Sequence, residues 1–297
     1  MARSFPPDVV VIDTDTLLHA RFGRGQKGLR LAQSKAWRLP AGTFTPAAVS
    51  PALASEAGLV EALRRMRTET GKWEKVSVLL PDSWFRMNII EVPSLPEREQ
   101  DATDTIRWGL KRTLPIAPEQ LRVAWTVLGR NGKAATVLVL SAMDATLTAI
   151  EKAFTTAGFD PILIEPLGIN MWNALAAREG EAQGDRLLLY VRDREFTTAV
   201  FRGARPLFIR SRNLSGERTL EQEIRLSANY LRDSLAVESF SMAYVAGEFS
   251  EGVREVLASE FNTQVRQIAL SDYVEGVPPG VTGYEAELTS CTGVFTG

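Results

Sequence analysis

The sequence predicts a mixed α/β protein built as two lobes. Three observations predict it: a length of 297 residues, β-branched apolar runs alternating with amphipathic helical stretches, and a polar stretch over 179–185. An average domain holds roughly 150 residues, so two compact halves are expected. The boundary places the first lobe over 1–180 and the second over 181–297.

The first lobe opens with a β-branched run over 9–13, and the alternating stretch 29–39 reads as its neighbour in a sheet edge or hairpin. Between them the glycine-rich, basic segment 22–28 reads as a hairpin tip. A Pro, Ala, Gly and Ser-rich connection over 40–55 leads to a helix over 56–68, with Leu59, Leu63 and Met66 on one face, and then to a strand over 75–80.

After Pro81-Asp82-Ser83 comes an apolar extended run over 84–92. Ser94 and Glu97 have capping-box spacing and Pro96 suits a first helical turn, which predicts a helix over 95–113. Strands over 122–128 and 134–141, joined at Asn131-Gly132, complete a β-α-β-β unit over about 84–141. Asp144 is placed to cap a helix ending at Gly158; a strand over 161–164 and a helix over 167–178 follow.

The second lobe reads as strands over 186–191, 196–201 and 206–210, a long helix over 216–235, a strand over 240–246, a helix over 251–261 and a strand over 263–268.

Composition removes several functions. Hydrophobic residues make up 45% and charged residues 24%, an ordinary globular balance, and the net charge of −2 supplies no overall field for nucleic acid or an anionic membrane. A membrane-spanning helix needs ~20 mostly apolar residues, and the apolar runs here are short, as over 9–12. The N-terminus lacks the apolar stretch of a secretory signal, so the chain is expected in the cytoplasm. One cysteine, Cys291, excludes an internal disulfide and any multi-cysteine zinc site. The one histidine, His19, reads as a partly exposed residue at the end of the first strand rather than as a catalytic base.

No Gly-x-Ser-x-Gly elbow, no Walker-type loop and no Gly-x-Gly-x-x-Gly occurs. Two readings of Asp13 and Asp15, which flank Thr14, stand at this point: a divalent-cation site near a phosphate, or ordinary turn residues. On the helix around Arg107-Trp108, Ile106 and Leu110 face inward while Arg107, Lys111 and Arg112 form a solvated or partner-facing side.

The stretch 88–128 resembles the PilM family of type IV pilus assembly proteins. Glu91-Val92-Pro93, Leu95-Pro96, Ile106-Arg107-Trp108 and Leu114-Pro115-Ile116, then a strand ending in Val127-Leu128, carry the likeness. It continues through Ala157-Gly158-Phe159, Glu165-Pro166-Leu167 and the segment 202–207. The resemblance implies an actin-like ATPase fold: two RNase H-like lobes around a cleft, a small β-α-β-β subdomain inserted in the first, and a reduced outer subdomain in the second. It also implies a scaffold at the inner face of the inner membrane that holds the cytoplasmic N-terminal peptide of a PilN-like single-span partner. The contacts expected for that peptide are Trp84, Arg86, Ile90, Arg107, Trp108 and Lys111.

Departures from the family pattern fall on the nucleotide loops. Asp13 keeps the acidic position after the first strand, but Asp15 stands where the family has glycine and Leu17 replaces a hydroxyl residue; Thr14 and Thr16 complete this degenerate loop. The second phosphate loop aligns with Tyr190-Val191-Arg192, followed by Arg194, and lacks both acid and glycine. Of the adenosine-side glycines only Gly247, next to Glu248, remains. A carboxylate aimed at a triphosphate repels it, and a β-carbon blocks close backbone approach. The expectation is a chain with no ATP or magnesium and no catalytic residue. An active ATPase or nucleotide-switched filament former, and a GspL-like scaffold of type II secretion, are the alternatives; a homo-oligomer is open.

Overall fold

The computed structural model describes residues 5–296 apart from 27, 47–49, 72, 112–115, 181–183, 193–194, 204, 215–217, 236, 238, 278–280 and 282. The first lobe contains β1 (Asp8–Ile12), β2 (Thr16–Arg24), β3 (Leu29–Arg38), the short pair β4 (Phe44–Thr45) and β5 (Ala52–Leu53), α1 (Glu56–Thr70) and β6 (Lys75–Leu80). The inserted unit follows as β7 (Phe85–Val92), α2 (Glu99–Leu110), β8 (Leu121–Asn131) and β9 (Ala134–Met143), and the lobe closes with α3 (Asp144–Thr156), β10 (Asp160–Pro166) and α4 (Leu167–Glu179). The second lobe is β11 (Asp185–Arg192), β12 (Glu195–Arg202), β13 (Arg205–Asn213), α5 (Leu220–Leu235), β14 (Met242–Gly247), α6 (Glu251–Phe261), β15 (Val265–Gln267) and α7 (Glu285–Gly293).

Both lobes use one topology. The first sheet runs β10-β6-β1-β2-β3 and the second β15-β14-β11-β12-β13. In each, the first strand pairs antiparallel with the second and parallel with the strand after the first long helix. Only the first lobe interrupts the link from that parallel strand to the next helix, with the sheet β7-β9-β8. In the second lobe α6 starts four residues after β14 ends.

The sheets explain the sequence pattern. Val10, Ile12, Val76, Val78 and Leu80 turn to one side under α1 and α3, while Val9, Val11, Leu18, Ala20 and Leu79 turn toward α4, α7 and the second lobe. Strands buried on both faces read as continuous apolar runs. The two lobes share one core in which α4 and α7 cross. A β-carbon on Gly293 would lie 1.9 Å from the carbonyl oxygen of Asn170, so only glycine permits that approach.

Several expectations change. The run over 9–13 is a central strand and not an edge, because β2 and β6 flank it. His19 is fully buried on β2: its Nε2 lies 2.7 Å from Asp8 Oδ1, its ring stacks on Trp73, and Arg21 also holds Asp8 at 2.8 Å. The helix expected from 95 begins at Glu99 with Arg98 as its cap. Leu95 instead donates its amide to the Lys133 carbonyl in the β8–β9 turn, and that tertiary bond keeps the Ser94 segment out of the helix. Asp144 is the first helical residue rather than the cap, and its carboxylate takes Arg122. Leu114, Pro115 and Arg112 lie outside the described residues.

Candidate functional site

The turn after β1 and the last residue of β11 meet across the cleft between the lobes. In that turn, Thr14 donates its backbone N–H to Asp13 Oδ1 at 2.6 Å, and Asp13 donates its own to the Thr16 carbonyl at 2.8 Å. Thr16 Oγ1 donates to Asp15 Oδ1 at 2.9 Å, and the Asp15 carbonyl accepts from Leu39. The carboxylates of this turn are engaged within it or by the other lobe.

That other lobe supplies Arg192, the last residue of β11. Its guanidinium meets Asp13 Oδ2 at 2.8 Å, Glu195 Oε1 at 3.0 Å and Glu287 Oε1 at 2.8 Å, and its side chain is 10% exposed. Glu195 begins β12 and Glu287 lies in the first turn of α7. Burial alone would oppose the charge on Arg192, but Glu287, Asp13 and Glu195 outweigh it and hold the guanidinium protonated. Burial pushes the Glu195 carboxyl above its ordinary value, with Arg192 acting in the opposite sense.

Beneath this cluster Asp82, 2% exposed, accepts from the Gly168 amide at 2.7 Å and from Thr197 Oγ1 at 2.5 Å. Gly168 is in the first turn of α4, whose cap Pro166 makes no side-chain bond, so Asp82 serves as that helix's cap from another segment. Thr197 belongs to the second lobe, and Asp82 therefore pins the lobes together. Burial pushes its carboxyl up, and the bonds from Thr197 and Gly168 partly offset this.

Arg192 lies between two hollows. The first, about 710 Å³, is lined by Asp13, Thr16, Gly247, Glu248, Tyr284 and Glu287 among others. The second, about 730 Å³, is lined by Thr14, Ser83, Trp84, Arg86, Glu195 and Arg210 among others, and shares Asp13 and Arg192 with the first. The structure thus brings Asp13, Thr16, Arg192, Gly247 and Glu248 to one cleft; Arg194 lies outside the described residues.

At this cluster the Thr14 amide is already donated to Asp13 Oδ1, and the Arg192 guanidinium is surrounded by three carboxylates. Gly247, with φ +92°, is required by packing: a β-carbon there would fall 1.8 Å from the Val191 carbonyl oxygen. Among the described residues no group of His, Cys, Asp and Glu side chains is disposed to hold a metal ion.

The six residues read from sequence as partner contacts divide between two places. Trp84 is 3% exposed with its ring against Phe44, and Arg86 lines the second hollow. Ile90 is partly buried against the core between the inserted sheet and α2. Arg107 pairs with Asp104, Trp108 is 59% exposed, and Lys111 Nζ sits 4.8 Å from the Trp108 ring centre on the outer face of α2. Ile106 and Leu110 are buried as expected. Sequence reasoning missed Asp82, Glu195, Thr197, Arg210 and Glu287. A signal existed for Asp82, an acid directly after a strand; none existed for Glu287, which meets its partner across 95 positions.

Duplicated lobes and a helix pair packed in the core they share define the chain as a protein of the actin-like ATPase fold. Within that class it is similar to a chain of the PilM-PilN type IV pilus biogenesis complex, with 19% identity, 96% of each chain covered and a TM-score of 0.77. It is also similar to a Bacteroides thetaiotaomicron protein of actin-like ATPase fold and unknown function, with 11% identity, 96% of this chain and 94% of that chain covered, and a TM-score of 0.59. A third likeness is to the cytoplasmic domain of EpsL, an inner-membrane component of the Vibrio cholerae type II secretion system, with 14% identity, 98% and 94% covered, and a TM-score of 0.56. No protein-family model and no curated protein sequence matches the chain.

Proposed function

We propose that this chain is a scaffold of a type IV pilus assembly complex, that it holds the cytoplasmic N-terminal segment of a PilN-like single-span partner at the inner face of the inner membrane, and that it does so without nucleotide. The observation that carries the reading is Arg192. In the actin-like fold the cleft turns cradle phosphates and metal; in this reading a built-in cation takes up the contacts of the acids that a metal would otherwise meet. With no phosphate to bind or release, the lobes have no nucleotide-driven motion, and the work left to the molecule is holding other proteins.

The second hollow supports the binding half of the proposal. Apolar Trp84, Phe85, Met87 and Leu214 line the wall of this hollow, a surface that suits the side chains of an extended peptide. Likeness to a PilM-PilN complex chain supports the class of partner. No helix among the described residues is long and apolar enough to cross a membrane. In this reading the single-span partner supplies the membrane anchor. A type II secretion scaffold is the second reading, supported by the likeness to the EpsL cytoplasmic domain.

Calorimetry tests the proposal. The probe is the cytoplasmic N-terminal segment of the single-span membrane protein encoded beside this chain, titrated with and without Mg-ATP. Binding that ATP leaves unchanged, and that Ser211→Trp in the hollow abolishes, is expected. Binding that requires ATP, or no binding, would overturn it.

A further inference from the structure

Five large apolar side chains are well exposed among the described residues, and two of them stand one turn apart on α5: Leu226 at 47% and Tyr230 at 45%. The inner face of α5 already packs into the second lobe through Leu220, Ile224, Ala228 and Leu231. Leu226 and Tyr230 therefore form a second apolar stripe, on the side turned away from the core, which a surface helix does not need in order to fold. The ring of Phe208 on β13 lies 5.5 Å from that of Tyr230 and extends the patch. One exposed apolar residue calls for no explanation, whereas neighbours that adjoin one another mark a contact surface.

Charges around this stripe make it complementary to itself. Arg218 and Arg225 stand toward the start of α5, and Asp233 stands toward its end. The two arginine side chains are each 55% exposed and each meets a carboxylate of its own lobe, Glu223 at 3.2 Å and Glu260 at 3.4 Å. Asp233 is exposed and has no ion pair among the described residues. A shallow hollow of about 460 Å³ beside Leu226 is lined by Arg218, Gln222, Arg225, Leu226 and Asn229. When two copies of a helix pack antiparallel about a two-fold axis, each residue meets the one equally far beyond the midpoint. Leu226 with Tyr230, and Arg225 with Asp233, are both centred on the turn at 228–229. One register therefore covers apolar with apolar and brings Asp233 of each copy to the arginine-rimmed hollow of the other. A parallel register would set Arg225 on Arg225 and Asp233 on Asp233.

We propose that the chain forms a two-fold dimer through the outer face of α5, in which Leu226 and Tyr230 pack on Tyr230 and Leu226 of the second copy and Asp233 enters the hollow beside Arg218 and Arg225. None of these residues lines either hollow at the cleft, so the dimer neither blocks nor requires peptide capture. A contact built on one helix pair falls at the small end of specific interfaces, below roughly 1,200 Å², so the dimer forms reversibly.

Sedimentation velocity of the full chain between about 1 and about 500 μM tests it. Expected is a monomer–dimer equilibrium that shifts with concentration. Asp233→Arg sets arginines against one another and Arg225→Asp sets carboxylates against one another, so each variant alone should dimerise at least about tenfold more weakly. Mixed in equal amounts, the two variants restore both opposite-charge pairs, and the dimer should return; a misfolded variant would not recover in the mixture. A chain that stays monomeric throughout, whatever else binds the α5 face, would overturn the proposal. So would a dimer that both charge variants retain, or a loss that the mixture does not repair.

Discussion

Arg192 Nη2 meets Asp13 Oδ2 at 2.8 Å, joining the end of the first strand of one lobe's sheet to the turn after the first strand of the other's. Glu195 and Glu287 complete the cluster that joins the two lobes.

Removing the guanidinium leaves three carboxylates facing one another in a largely buried place. Arg192→Ala is expected to destabilise the chain by about 3–5 kcal/mol, the usual cost of leaving one side of a buried ion pair uncompensated. Urea unfolding midpoints measure it. A loss below about 1 kcal/mol would mean that the cluster is solvated and the lobes are held elsewhere.

Asp82 gives a pH dependence whose sign follows from its raised pKa. A carboxyl raised by folding contributes most at pH values below its unfolded value of ~3.9, and that contribution falls as pH climbs through the folded value. Asp82→Asn keeps an acceptor for Gly168 and a donor for Thr197 Oγ1 without the buried charge. The melting temperature of the variant minus that of the parent should therefore rise between about pH 4 and pH 8. A flat or falling difference would show that the carboxylate is ionised without penalty.

Gly293→Ala should cost about 1–3 kcal/mol, because the new methyl group meets the Asn170 carbonyl where α7 crosses α4. Thermal unfolding measures the loss. A neutral result would place the two helices farther apart than this close crossing allows.

Cys291 lies fully buried on α7, and burial pushes its thiol far above the ordinary range. Ellman's reagent should leave the native chain unmodified over hours and titrate one thiol after denaturation. Rapid reaction of the native protein would show that α7 leaves the shared core.

On α2 the exposed ring of Trp108 has no packing role to lose. Trp108→Ala should leave the melting temperature within about 1 °C of the parent, as surface changes usually do. Reduced affinity for the partner segment would add α2 to the interface, and unchanged affinity would remove it.

Much of the fold was legible because Val9, Val10, Val76, Val78, Leu187 and Leu189 sit on strands that carry apolar residues at successive positions. β2 was not legible: His19 and Arg21 interrupt its apolar pattern, and the burial of His19 is tolerated because Asp8 on the neighbouring strand is its hydrogen-bond partner. α7 escaped notice because Thr, Ser, Cys and Gly are poor helix formers, and its helix is stabilised by burial against α4. That Asp13 ends the first strand could be read directly. That Arg192 pairs with Asp13 and Glu287 could not, since both lie far from it in sequence and no local pattern records their meeting.

The account turns on whether the cleft takes a nucleotide, and thermal unfolding of the full chain across a Mg-ATP titration decides it. A ligand at 100 times its dissociation constant raises stability by ~2.7 kcal/mol, which such a titration detects readily. The account predicts a melting temperature that stays constant up to millimolar Mg-ATP. A saturable rise with nucleotide, lost on Asp13→Ala, would contradict it.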